Sequence, residues 1–132
     1  MKIGVWLDKE KAHIVCLHDG VADFKTVLSN VENFKIHGGA GTKFKGGPQD
    51  VVQDSKYLER EKHQIKAYFK DLATEIKDAE AIVLFGPAET GFKFHKELSN
   101  NYKELESKVT EVIKADSMTN NQVIAWVKTY FN

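Results

Sequence analysis

Ala81-Ile-Val-Leu-Phe-Gly-Pro87 is the stretch of sequence that decides the fold of this chain. Five apolar residues follow one another there, and Gly86-Pro87 then ends the run because proline cannot donate a strand hydrogen bond. A short, continuous apolar run is typical of a strand that is buried on both faces of a sheet. We therefore predict a central strand over residues 81–85.

The segments before this strand predict a β-meander. Apolar and polar residues alternate over residues 2–8, which is the period of a half-buried strand, and further strands are expected over residues 12–18 and 21–28. Asp19-Gly20 predicts a tight hairpin turn between the second and third of these strands. Residues 33–37 are expected to form a fourth short strand or a strand-like entry to a loop. Strands joined by tight turns pair antiparallel, so this half of the sheet is expected to be antiparallel.

A long helix is predicted between the meander and the central strand. Asp50 offers an N-cap, Gln53 completes a capping-box pattern, and the helix is expected to end near residue 78 or 79. One apolar stripe recurs along it at helical spacing and is expected to cover the sheet. Its members are Leu58, Ile65, Phe69, Leu72 and Ile76.

Charged residues occupy the rest of this helix. Basic side chains alternate there with carboxylates, which favours a solvated face laced with salt bridges and leaves a binding face as the alternative. The basic members are Lys56, Arg60, His63, Lys66 and Lys70, and the acidic members are Glu59, Glu61 and Asp71.

The segment after the central strand adds two helices and one strand. A helix is predicted near residues 90–100 and a parallel strand over 108–115. The last helix is capped by Ser117 or by Thr119, and Thr119 would form a capping box with Gln122. The order βββ(β)αβαβα predicts an α/β protein in which two parallel crossovers complete a mixed sheet. This order is typical of ribonuclease-H-like folds and of the related fold of translational-machinery components, and residues 1–132 fit one domain by length.

The composition narrows the classes of function. Nineteen basic and nineteen acidic residues give a formal net charge of zero, which argues against a generic polyanion binder. Arg60 is the only arginine, so bidentate guanidinium recognition of phosphate or guanine is nearly excluded. No apolar run reaches the roughly 20 residues of a membrane span, and no secretory signal is recognisable. We therefore expect a cytoplasmic protein in which Cys16 is a buried, reduced thiol.

The sequence gives little support to metal or covalent chemistry. Asp8 ends the first strand, where ribonuclease-H-like nucleases place a metal carboxylate, but only Asp54 and Glu89 could assist it. A turn-forming role is favoured for Asp8. The histidines lack the spacing of a zinc site, and His13 and His18 are predicted to be structural or to face solvent. We expect no cofactor and no metal.

A loop rich in glycine and lysine runs from residue 38 to residue 49 and leads directly into the long helix. Five glycines in twelve residues suit a loop whose backbone approaches a partner or binds an anion. It is not a P-loop, because Gly47 stands where that motif requires lysine. Local contact with RNA, through lysine charges and backbone groups, remains open.

Several short motifs resemble one family in the same order along the chain. Phe34-Lys-Ile-His-Gly, Phe44-Lys-Gly-Gly-Pro-Gln49 and Leu58-Glu-Arg-Glu-Lys-His63 resemble the middle domain of archaeal and eukaryotic class 1 peptide-chain release factors. Ile82-Val-Leu-Phe-Gly86 and the Phe92-Lys93 helix start resemble the strand and turn that follow in that domain. The resemblance extends to Pelota-type ribosome-rescue proteins and to stand-alone bacterial proteins of the group.

The resemblance implies a translational function for the glycine loop. In that family a Gly-Gly-Gln tripeptide positions a water against the peptidyl-tRNA ester. The matching catalytic positions here are Gly46, Gly47 and Gln49, with Pro48 inserted before the glutamine. Since proline fixes φ and lacks an N–H, it alters the backbone of the tripeptide. The side chains expected to contact RNA are Lys43, Lys45, Lys56, Arg60 and His63.

Three hypotheses from different classes follow. The first is a cytoplasmic, ribosome-associated release-factor-like protein that contacts rRNA and tRNA and acts in peptidyl-tRNA hydrolysis or ribosome rescue. The second is a non-catalytic RNA- or protein-binding module on the same fold. The third is a metal-dependent nuclease, which would need Asp8 as a metal ligand.

Overall fold

The centre of the protein is a five-stranded mixed sheet. A computed structural model describes residues 1–31, 47–87 and 89–132, with the side chains of residues 47–58 outside the description. The strands are β1 (Lys2–Leu7), β2 (Lys11–His18), β3 (Val21–Leu28), β4 (Ala81–Gly86) and β5 (Val109–Lys114). The fourth strand expected over residues 33–37 lies outside the described residues.

The strand order is β3-β2-β1-β4-β5, which confirms the predicted topology of the mixed sheet. β1 pairs antiparallel with β2 and parallel with β4, and β4 pairs parallel with β5. The run that predicted the central strand lies in β4, between two parallel neighbours, and its residues from Ile82 to Phe85 are fully buried. The apolar run thus correctly indicated a strand buried on both faces, whereas the half-buried environment expected for β1 was wrong, because Ile3 to Leu7 are all buried.

The turn between β2 and β3 has the geometry that Asp19-Gly20 predicts. Asp19 has φ 49° and Gly20 has φ 78°, while the flanking His18 and Val21 are paired across the hairpin. Positive φ at both central residues is the type I′ conformation, whose twist matches the twist of the strands. Glycine is suited to this turn because it has no Cβ to clash at positive φ.

Four helices are described, namely α1 (Gly47–Glu75), α2 (Thr90–Asn101), α3 (Lys103–Glu106) and α4 (Asn120–Tyr130). The prediction of Asp50 as the N-cap of the long helix was wrong, because α1 begins at Gly47 and Asp50 lies inside it. Pro48 is compatible with this start, since the first turn of a helix does not need the proline N–H. At the other end, residues 76–78 form a turn and not a continuation of the helix.

The sheet carries a separate apolar cluster on each face. One cluster joins Ile3, Val5 and Leu84 to the inner sides of α1 and α2. The other joins Trp6 and Phe85 to α4. No helix in the described part of the chain is both long and apolar enough to cross a membrane.

The contact of α4 with the sheet depends on a glycine and on a well-capped helix start. A Cβ built on Gly4 of β1 would lie 2.4 Å from a side-chain methyl of Val127, so the helix approaches too closely for a larger residue. The Thr119 hydroxyl accepts from the Gln122 backbone N–H, and the Gln122 side chain accepts from the Thr119 N–H. This arrangement confirms the predicted capping box.

Candidate nucleic-acid interface

The inner side of α1 is fixed against the sheet by an apolar stripe. Phe69, Leu72 and Ile76 are buried as predicted, and Ile65 is half-buried against the same cluster. Tyr68, which the sequence stripe did not include, is also buried. The side chain of Leu58 lies outside the described residues. The packing of this stripe determines which side of α1 faces solvent.

Three polar contacts tie α1 to the meander. The Tyr68 hydroxyl donates to the Asp8 carbonyl oxygen at 3.0 Å, and burial raises the pKa of Tyr68, so the phenol stays a neutral donor. Lys9 pairs with Glu61 at 2.7 Å. Lys25 pairs with Glu75 at 2.6 Å. Two carboxylates of the helix are therefore directed towards strand and turn lysines.

Asp8 serves the turn between β1 and β2. One of its carboxylate oxygens accepts from the backbone N–H of Glu10 at 2.8 Å and of Lys11 at 2.9 Å. These two bonds confirm the predicted turn-forming role. Glu89 is exposed, and the side chain of Asp54 lies outside the described residues. Within the described residues, no group of three His, Cys, Asp or Glu side chains could hold a metal ion.

The outer side of α1 carries a basic face, defined here by Arg60, His63, Lys66 and Lys70, all of which are exposed. They recur at spacings of three and four residues, so they follow one side of the helix, opposite the buried stripe. In the part of the chain whose side chains are described, neither Lys66 nor Lys70 forms an ion pair. The interpretation of this face as laced with salt bridges does not hold for these two lysines.

The site residues predicted from sequence are distributed along α1 and the segment before it. Lys43, Lys45 and Gly46 lie outside the described residues. The backbones of Gly47, Gln49 and Lys56 are helical and belong to α1, whereas the side chains of Gln49 and Lys56 are not described. Arg60 and His63 lie one turn apart on the basic face.

The distance along α1 separates these residues into two groups. At 1.5 Å per residue, Gln49 and Arg60 are about 16 Å apart along the helix axis. Among the described residues, the proposed catalytic positions at the start of α1 and Arg60 on the basic face therefore lie apart along one helix and do not surround one pocket. An extended partner would be needed to contact both groups.

The histidine on β2 has a structural role, as the sequence predicted. The His13 ring is buried between the rings of Trp6 and Phe24, with centroid distances of 5.2 and 5.3 Å. Its Nδ1 lies 2.9 Å from the Thr26 hydroxyl. Burial, followed by the charge of Lys11, lowers the pKa of His13, so the neutral ring is favoured.

Two further predictions about titratable side chains have different outcomes. His18 is exposed and lies 3.0 Å from a carboxylate oxygen of Asp23, as expected for a solvent-facing histidine. Cys16 is half-buried and not fully buried, and desolvation raises the pKa of its thiol. This environment favours the unreactive, protonated thiol. His37 lies outside the described residues.

A known structure has a fold similar to that of this chain. No protein-family model and no curated protein matches the chain. Among solved structures, the fold is similar to part of the archaeal translation termination factor aRF1, with a TM-score of 0.55 and 9% sequence identity. The match covers 98% of this chain and 38% of that chain, so this chain spans well under half of the termination factor. At this identity the similarity concerns the fold.

Proposed function

We propose that this chain is a release-factor-like domain of the cytoplasm that associates with the ribosome through the segment before α1 and the basic face of α1. The observation that carries the proposal is the exposure of Arg60, His63, Lys66 and Lys70 on the outer side of α1, within a fold similar to part of a termination factor. Lysine charges on one exposed edge suit contact with the phosphates of rRNA or tRNA, because phosphate contacts need positive charge and no base recognition.

The chemistry assigned to the site is peptidyl-tRNA hydrolysis or ribosome rescue. Gly46, Gly47 and Gln49 would present backbone groups and an amide to a water that attacks the peptidyl-tRNA ester. The backbone of Gln49 lies in the first turn of α1, at one end of a long helix, and this supports a role at the tip of that element. Carboxylates and metals take no part in this proposal.

A non-catalytic module is the second candidate, and the helix start favours it. Gly47, Pro48 and Gln49 all have helical backbone in α1. A helical turn does not use the conformational freedom that a Gly-Gly pair provides, and Pro48 removes one N–H from the tripeptide. A chain with this helix start can bind the ribosome through its basic face without promoting hydrolysis.

Sedimentation with ribosomes over a series of salt concentrations tests the proposal. We expect the chain to co-sediment at low salt, with Lys66→Gln/Lys70→Gln binding more weakly than the wild type. The control Lys114→Gln/Lys128→Gln removes the same charge from exposed lysines on β5 and α4 and should bind like the wild type. Absence of co-sedimentation at every salt concentration would overturn the ribosomal proposal.

Peptidyl-tRNA hydrolysis distinguishes the two candidates once ribosome binding is established. Hydrolysis by the wild type that is lost in Gln49→Ala supports the catalytic assignment. Equal and negligible hydrolysis by both proteins, with ribosome binding retained, assigns the chain to the non-catalytic class.

A further inference from the structure

A cleft that is open to solvent lies where the C-terminal end of α1 meets the connection between α2 and α3. Tyr102 and Leu105 provide apolar surface in it, and Lys77, Lys103 and Lys108 contribute three ammonium groups. We call it the Lys77 cleft. Lys77 lies 26 residues before Lys103 and 31 residues before Lys108, so only the packing of α1 against α2 and α3 brings it to the other two.

The positive charge of the Lys77 cleft is not neutralised within the described part of the chain. Glu104 is the one carboxylate among the residues that line it, against three lysines. None of these four side chains forms an ion pair with a described residue. Three neighbouring ammonium groups repel one another, so an anion from outside the chain would be stabilised there.

The ends of the neighbouring helices oppose this attraction only in part. α1 and α2 both end near the cleft, and a helix C-terminus carries a partial charge of roughly −0.5. Two such partial charges amount to about one negative charge, whereas the lysines and Glu104 together contribute a net charge of +2. The side chains therefore determine the sign of the potential.

The cleft continues the basic face of α1. Thr74 lines the cleft and lies one helical turn after Lys70, the last residue of that face. From Lys66 to the end of α1 at Glu75 the rise is about 14 Å. A polyanion lying along the outer side of α1 can therefore reach the cleft.

We propose that the Lys77 cleft binds the phosphodiester backbone of RNA, as a second contact beyond the basic face of α1. RNA fits better than a small anion, because the site is open and continues an extended row of positive charge. The lysines are point charges suited to phosphate, and Asn100 adds an amide donor to the lining of the cleft. This contact requires only the phosphate backbone of an RNA, and it does not depend on whether Gln49 takes part in hydrolysis.

Fluorescence anisotropy with a labelled RNA hairpin, whose stem is about 16 base pairs long, tests this site directly. We expect Lys103→Gln/Lys108→Gln to weaken binding about tenfold at moderate salt and to reduce the slope of log K against log salt by about 2. Lys114→Gln/Lys128→Gln, with the same charge removed elsewhere, should stay within about twofold of the wild type. Equal weakening in the two double variants would overturn the proposal.

A variant that removes a negative charge from the cleft provides the opposite test. Glu104→Gln removes the carboxylate of the cleft and should tighten hairpin binding about twofold to threefold, because it removes a repulsion. Unchanged binding by this variant would contradict the proposal, and thermal unfolding would verify that each variant is folded. If the NMR shifts of cleft residues respond to inorganic phosphate but not to the hairpin, the ligand of the cleft is a small anion and the RNA proposal is wrong.

Discussion

The Tyr68 hydroxyl lies 3.0 Å from the carbonyl oxygen of Asp8, and this bond joins the middle of α1 to the turn between β1 and β2. The Asp8 carboxylate holds the same turn through the N–H groups of Glu10 and Lys11. Asp8 thus stabilises the turn through its carboxylate and accepts a hydrogen bond from α1 through its backbone carbonyl. The orientation of α1, and with it the direction of the basic face, depends on this turn.

Tyr68→Phe should lower the free energy of unfolding by about 1–2 kcal/mol, because the variant leaves a partly buried carbonyl without its donor. Urea denaturation followed by circular dichroism measures the change. Tyr102→Phe is the matched control, since Tyr102 is half-buried and its hydroxyl has no hydrogen bond within the described residues. An equal loss in both variants would show that the Asp8 contact adds nothing specific.

Substitution of Asp8 separates a turn role from a metal role. Asp8→Asn keeps an oxygen that can accept from both N–H groups and should change stability little, whereas Asp8→Ala should cost about 1–2 kcal/mol. Urea denaturation of the two variants checks this difference. Mg²⁺-dependent RNA cleavage by the wild type that is lost in Asp8→Asn would instead support the nuclease hypothesis.

The close approach of Gly4 to Val127 predicts a non-additive pair of substitutions. Gly4→Ala should destabilise the protein by about 1–3 kcal/mol because its new methyl overlaps the valine. Val127→Ala removes that obstacle, so the double variant should be more stable than the sum of the single effects predicts. Chemical denaturation of all four proteins measures the coupling. Simple additivity would show that α4 shifts to accommodate the alanine.

The environment of His13 predicts a pH dependence of stability. Burial lowers the pKa of His13 in the folded protein below its usual value of about 6.5, so the unfolded chain binds more protons as the pH falls through that range. The free energy of unfolding should therefore decrease as the pH falls below about 6.5. His13→Phe should flatten this dependence, whereas His18→Gln, at an exposed site, should retain it. NMR titration of the His13 ring gives the folded-state pKa directly.

The sheet could be derived from the sequence because each strand and turn carries its own local signal. The alternation in β1, the Asp19-Gly20 turn and the apolar run of β4 are patterns within ten residues. The capping box of Thr119 is equally local. Each of these features was confirmed because local preference and tertiary packing favour the same conformation there.

The start of α1 and the presence of α3 could not be derived in the same way. Asp50 and Gln53 match a capping box, but Pro48 and Gly47 also fit a first helical turn, and the helix begins there. α3 has only four residues, too few for a helical period, and Leu105 is its one buried residue. Such short elements are decided by contacts with the rest of the fold.

The candidate site was only partly accessible from sequence. Arg60 and His63 could be placed on an outer helix face from the position of the apolar stripe. The meander lysines that engage Glu61 and Glu75 could not, because each partner lies about 50 residues away in sequence. The lysines of the Lys77 cleft gave no local signal for the same reason. The ion pairs and the cleft form because the fold brings these segments together, and the spacing of the residues along the sequence does not reveal them.

Both tryptophans of the chain belong to the face of the sheet that α4 covers. The Trp6 indole donates to the Asp116 carbonyl oxygen at 3.3 Å, and the Trp126 ring stacks on Phe85 with a centroid distance of 3.8 Å. Intrinsic tryptophan emission consequently reports on the docking of α4, while α1 carries no tryptophan. The two layers of the protein are spectroscopically distinct, so loosening of one can be followed separately from loosening of the other.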